Sequence, residues 1–290
     1  MLSVVRRPFG LTVMALERPL VGEMACYYLG WDIGAWRTKQ KDGLWLLDGD
    51  GNSLGKAACG LQQSLADERD LDGFLEFCFG KCLGTEVTPR RGDRVVMAVD
   101  APFGFPKDFR SLLGIDGEGG CSERVDAKAI DIGYLYRGTE QFVEKRMGRI
   151  PLSPVIHQIG SQTTKVMHFL CRFLFDSSKE KGVWSVISPG EVEVTVIEVY
   201  PATCKTRGGE TGGEVDCPEI LNDFTGIKSV SGNISDDEED GLICALLARL
   251  FDGNRKAFHE PGDDIDPAEG WIWYPRSCDK SGKSSGSGRC

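Results

Sequence analysis

DRVVMAVD, residues 93–100, is the stretch that decides the fold. Its run from Val95 to Val99 is apolar without a break, too short for a helix and not alternating, so it reads as a strand buried on both faces of a parallel sheet. It ends on Asp100, followed by Ala101 and Pro102. Upstream, the polar loop TPRRGD (88–93) is preceded by ADERDLDGFLEFCFGKCLG (66–84), where Leu71, Phe74, Leu75, Phe77, Cys78 and Leu83 recur at helical spacing behind a first turn of acids. Further out, LWLLDGDGNSLGKAACG (44–60) spells a hairpin, with an Asp-Gly-Asp-Gly-Asn turn and a returning strand near 53–59. ACYYLGWDIG (25–34) is a buried strand that ends at Asp32.

Strand, hairpin, helix, strand is the opening of the ribonuclease-H-like fold. The expectation is an α/β domain with a mixed sheet, a three-stranded antiparallel meander plus parallel strands, flanked by helices and carrying a helical insertion in the middle. Downstream, APFGFP (101–106) reads as a loop and GIDGEGGCSER (114–124) as a Gly-rich surface loop. YRGTEQFVEKRMG (136–148) and TTKVMHFLCRFLF (163–175) read as helices, and EVEVTVIEVY (191–200) as a strand entering the core. PATCKT begins a helix with Pro201 in its first turn, TRGGETGGEVD (206–216) is another loop, and DDEEDGLICALLARLF (236–251) is the clearest helix in the chain, with acids at its positive end. Residues 1–24 are expected to lie outside the fold, with Met24 an alternative start. Residues 25–277 form one domain, and the Ser/Gly/Lys-rich 278–290 is a disordered tail.

Composition narrows the function. A net charge of −10 argues against a large non-specific nucleic-acid surface. Arg6, Arg7, Pro8, Glu17 and Arg18 do not fit a secretory signal, no run reaches transmembrane length, and eleven cysteines without a CxxC fit a reducing cytoplasm. Cys78 and Cys82 share a helical face and read as small core residues. His157, His168 and His259 are too dispersed for a histidine-based site.

The chemistry rests on carboxylates. Asp32 and Asp100 close strands at their carboxyl ends, where open α/β sheets gather ligands. Glu198, in VTVIEVY, has the parity of Val192, Val194 and Val196; a carboxylate on that apolar face is either a metal ligand or a buried Glu paired with an Arg. Asp237 and Asp240 share one face at a helix start, where the macrodipole favours acids in any case. Acids brought together repel unless a cation sits between them, so the set points to Mg²⁺ or Mn²⁺, two ions, bound by Asp32, Asp100, Glu198, Asp240 and Asp237.

GWDIGAW, AVDAPFGFP, YRGTEQFV, IEVYPAT, DDEEDGLICALLARL and the closing EGWIWYP resemble the domain-of-unknown-function 429 family, described as predicted nucleases of ribonuclease-H-like fold. The resemblance spans about residues 26–275, and AVDAPFGFP and EVYP are its most specific pieces. It implies a metal-carboxylate site at Asp32, Asp100, Glu198 and Asp240, bordered by Arg137, Thr139 and Glu140. Gly241 departs from it, since related sequences tend to carry Ala there. The expected function is a divalent-metal-dependent nuclease or phosphodiesterase acting on nucleic acid or another phosphodiester, with Asp32 bridging two ions and Arg124, Arg137, Lys145 and Arg146 available to phosphate. Two alternatives stand beside it: a phosphotransferase or ATPase of the actin/sugar-kinase class, because DIGAWRTK resembles its first phosphate loop, and an inactive nucleic-acid- or protein-binding domain.

Overall fold

The computed structural model describes residues 24–36, 41–85, 88–115, 133–175, 177–205, 214–216, 229–231 and 234–279. Both Gly-rich loops fall mainly outside these residues, as do Arg124, nearly all of the N-terminal extension and residues 280–290. Seven strands form one sheet: β1 (Cys26–Asp32), β2 (Asp42–Asp48), β3 (Ser53–Cys59), β4 (Arg94–Asp100), β5 (Ser178–Glu180), β6 (Val183–Ile187) and β7 (Glu193–Glu198), in the order β3-β2-β1-β4-β7-β6-β5. β1, β2 and β3 are an antiparallel meander. β4 runs parallel to both β1 and β7. β6 and β5 extend the other edge antiparallel. A separate two-stranded ribbon joins Glu214–Asp216 to Ser229–Ser231.

Strand alternation builds two cores. Tyr27, Leu29, Trp31, Val95, Met97, Val99, Val194 and Val196 face one side, under α1 (Gln62–Asp67), α2 (Leu71–Leu83) and α5 (Gly160–Phe173). Among the described residues, two further helices, α3 (Lys107–Leu112) and α4 (Gly138–Met147), lie between β4 and α5 in the chain. Tyr28, Val96, Ala98, Ile197 and Val199 face the other side, under α6 (Asp236–Gly253) and the segment bearing Trp271 and Trp273. The helix expected over 66–84 is two, because Asp70 turns out of α1 and caps α2 by accepting from the Gly73 N–H at 3.0 Å. PATCKT makes only a short 3₁₀ turn at Pro201–Thr203.

α6 places the candidate site. Ser235 caps it and Glu238 closes a capping box, which sets where the helix starts. Its backbone then rests directly on the meander. A Cβ at Gly30 would lie 1.9 Å from the Gly241 carbonyl oxygen, and one at Gly43 would lie 1.7 Å from that of Asp237. Gly241 is close on the helix side, 2.9 Å from the Gly43 carbonyl oxygen by the same measure. This close approach accounts for glycine at a helical position where it costs propensity, and it presses the N-terminal end of α6, with Asp237 and Asp240, onto the sheet. Among the described residues no helix is long and apolar enough to cross a membrane.

Candidate active site

Asp32 and Asp100 end neighbouring parallel strands and pair in register, so their carboxylates leave the sheet side by side on the α6 face. They open onto a cavity of about 180 Å³ that Glu198, Tyr200 and Gln162 also line. Asp240 comes down from α6, where Lys205 Nζ meets Oδ1 at 2.6 Å. Neither the Asp32 nor the Asp100 side chain has a hydrogen-bond or ion-pair partner among the described residues.

The electrostatics follow from that crowding. Burial, then Asp100, Asp240 and Asp237, push the Asp32 carboxyl up to about 9. Burial, then Asp240 and Glu198, raise Asp100 well above the usual carboxylate range, with Lys205 opposing. Asp240 rises through burial, against the pull of Lys205, and Asp237 rises through burial and its acidic neighbours. Repulsion of this kind is relieved by a proton or by a cation. The donors are all hard carboxylate oxygens, which fits Mg²⁺ or Mn²⁺. As they stand, and among the described residues, no three Asp, Glu, His or Cys side chains form a ready metal-ligand group.

Glu198 reaches the same cleft differently. It pairs with Val99, so its parity is opposite to that of Asp32 and Asp100. Arg137 donates to Oε1 at 2.5 Å and to Oε2 at 3.0 Å, and the Phe103 N–H donates to Oε2 at 2.9 Å. Of the two readings of a carboxylate on this face, the buried Glu–Arg pair is the one the fold builds. Arg137 also donates to Glu140 Oε1 at 2.7 Å and to the Glu269 carbonyl at 2.6 Å. Gly270, at φ +82°, lets this network close, since a Cβ there would fall 2.6 Å from Glu198 Oε2.

Arg137, expected to contact phosphate, and Thr139, expected to border the site, are both engaged within the fold. Arg137 is fully buried and its guanidinium is spent on two carboxylates and a carbonyl. Thr139 is fully buried and its Oγ1 accepts from the Ile272 N–H at 2.9 Å. Glu140 lines the cavity beside Arg137, and burial raises its carboxyl to about 7. Arg146 lies 3.5 Å from Asp279 and over the Phe142 ring, away from the carboxylates that line the cavity.

Two supporting residues escaped the reading of the sequence. Asp42 and Lys165 form a wholly buried ion pair at 2.7 Å. Asp42 also accepts from Trp31 Nε1 and from the backbone N–H groups of Gly34 and Leu61, while Lys165 donates to the Gly34 carbonyl. Together they fasten the turn that leaves Asp32. A lone lysine in the apolar helix TTKVMHFLCRFLF was the available signal.

The crowding predicts a stability signature. Because the Asp32 carboxyl is raised in the folded chain, the fold binds its proton more tightly than the unfolded chain does between about pH 4 and 9. Its contribution is complete below the unfolded value and is lost as pH rises toward 9. Asp32→Asn removes that loss. In the presence of a chelator it should raise Tm relative to the native protein, more at pH 8 than at pH 5, by calorimetry. A lower Tm for the variant at pH 8 would show that the carboxylates are not in conflict. No family model, curated protein or solved structure matches the chain.

Proposed function

We propose that the chain is a divalent-metal-dependent phosphodiesterase of ribonuclease-H-like fold, acting on nucleic acid. The observation that carries this reading is the pair Asp32 and Asp100, their side chains unpartnered at the register-matched ends of two parallel strands, with the Asp240 charge on α6 near enough to raise both carboxyls. The meander, the parallel β4 and β7 and the covering C-terminal helix agree with that fold.

Asp32 and Asp100 would hold Mg²⁺ or Mn²⁺, with Asp240 and Asp237 completing the set from the helix. When bound, such ions activate water and stabilise the leaving oxygen of an in-line displacement. The remaining roles belong to the chain. Asp32 and Asp100 cannot both ionise freely without added positive charge, so the site is primed for cations. Lys205, held by Asp240 and acting on the charge of Asp100, would supply an ammonium to a phosphate once the carboxylate is engaged elsewhere. Glu198 and Arg137 hold the 101–103 segment through the Phe103 N–H and so fix the wall beside Asp100.

A panel of single-stranded, duplex, branched and RNA substrates in Mn²⁺ tests the reading. We expect cleavage by the native chain and a loss of at least about a hundredfold in Asp32→Asn, because neutralising a shared ligand removes charge that only the metal-bound state needs. Cleavage that survives Asp32→Asn refutes the mechanism. ATP hydrolysis without strand cleavage would move the chain to the phosphotransferase class.

A further inference from the structure

Away from the four carboxylates that line it, the cavity is mostly apolar. Ile33, Pro102, Pro151, Leu152 and Ile159 line it, and among the described residues its single basic side chain, Arg137, is already neutralised by Glu140 and Glu198. The apolar part of this lining suits a neutral group. One polar feature has no role in the fold. Gln162, on the first turn of α5, lines the cavity, and its Oε1 is buried without a hydrogen-bond partner. An amide can accept at its oxygen or, turned over, donate from its nitrogen, and a buried amide oxygen left unpaired costs free energy that a ligand would recover. Tyr200, half-buried two residues past the end of β7, adds an aromatic side chain to the same lining.

From this we infer that the cavity seats one unpaired nucleobase, its edge read by Gln162 and its face packed against Tyr200, while the adjoining phosphodiester lies over Asp32 and Asp100. The inference rests on the phosphodiesterase reading and names its substrate as single-stranded or locally opened nucleic acid. A paired base inside a duplex cannot enter the cavity without leaving its stack, whereas stacking on an aromatic side chain accepts every base.

The test is anisotropy of a fluorescein-labelled single strand in calcium, compared with the same strand made abasic and with its duplex. We expect the intact strand to bind at least about tenfold more tightly than either, the range a stacked base supplies. Gln162→Leu, shown by its Tm to be folded, should weaken the intact strand about fivefold or more and leave the abasic strand within twofold. Tyr200→Ala should do the same. Equal binding of intact and abasic strands overturns the inference, as does a Gln162→Leu loss that falls equally on both. Mn²⁺-dependent cleavage indifferent to base removal would overturn this inference alone. Absence of both strand binding and cleavage would overturn the phosphodiesterase reading and the inference with it.

Discussion

Arg137→Met should cost about 3–5 kcal/mol of stability, because it strands two buried carboxylates at once. Glu140 and Glu198 both lie in the interior, and each takes its charged hydrogen bonds from that guanidinium. Arg137 also satisfies the Glu269 carbonyl, which would be left unpaired. Chemical unfolding gives the size directly, and a Tm lowered by about 10 °C is the corresponding thermal result for a domain of this size. The loss should depend on pH. Burial already raises the Glu140 carboxyl to about 7 against the pull of Arg137, so without the guanidinium the folded state binds that proton more tightly, and the penalty is smallest at low pH and grows as pH rises. Arg137→Lys should recover only part of it, since one ammonium cannot serve Glu140 and Glu198 with a planar fork. Adding Glu198→Gln to Arg137→Met should restore some stability, as expected for residues in one network. A loss below about 1 kcal/mol for Arg137→Met, unchanged between pH 5 and 8, would show that the network is hydrated and not a buried ion cluster.

That network marks the limit of what was legible in the chain. Asp32 and Asp100 stood out because each ends an apolar run, and a strand's period then places its last side chain. Asp240 was visible because it sits directly before the stripe of Leu242, Leu246 and Leu250 that docks on the sheet. The parity of Glu198 announced a buried carboxylate, but parity names a face and never a partner, and Arg137 lies 61 positions away at the start of a helix that looks amphipathic. Lys165 and Asp42 are 123 positions apart, and nothing local to either speaks of the other. β6 was missed for a different reason. VWSVI follows Lys181 and Gly182 at positive φ, and its residues are mostly half-buried, so no strong alternation marks it. Pairing with β7, a contact that periodicity cannot express, makes it a strand.

Gly30→Ala is the substitution that should dismantle the site without touching a charged residue. Its new methyl would fall 1.9 Å from the Gly241 carbonyl oxygen and 2.4 Å from the Ala245 nitrogen, and both obstacles are helix backbone. A side chain can turn away from such a clash, but a hydrogen-bonded helix turn can only lift as a unit. The expected cost is about 3 kcal/mol, at the upper end for overpacking, or a Tm lower by about 6–12 °C. Gly253→Ala, at the far end of the same helix with nothing within 4 Å of its Cβ, is the control and should leave Tm unchanged or slightly raised. Lifting α6 carries Asp237 and Asp240 away from Asp32 and lets water between them. Burial and those two acids are among the causes that hold the Asp32 carboxyl at about 9, so its titration should move back toward the ordinary carboxylate range. Carbon-13 NMR of the aspartate carboxyls reads that shift directly. If Asp32 still titrates near 9 in folded Gly30→Ala, the helix does not set the electrostatics of the site, and the glycine contacts serve packing alone.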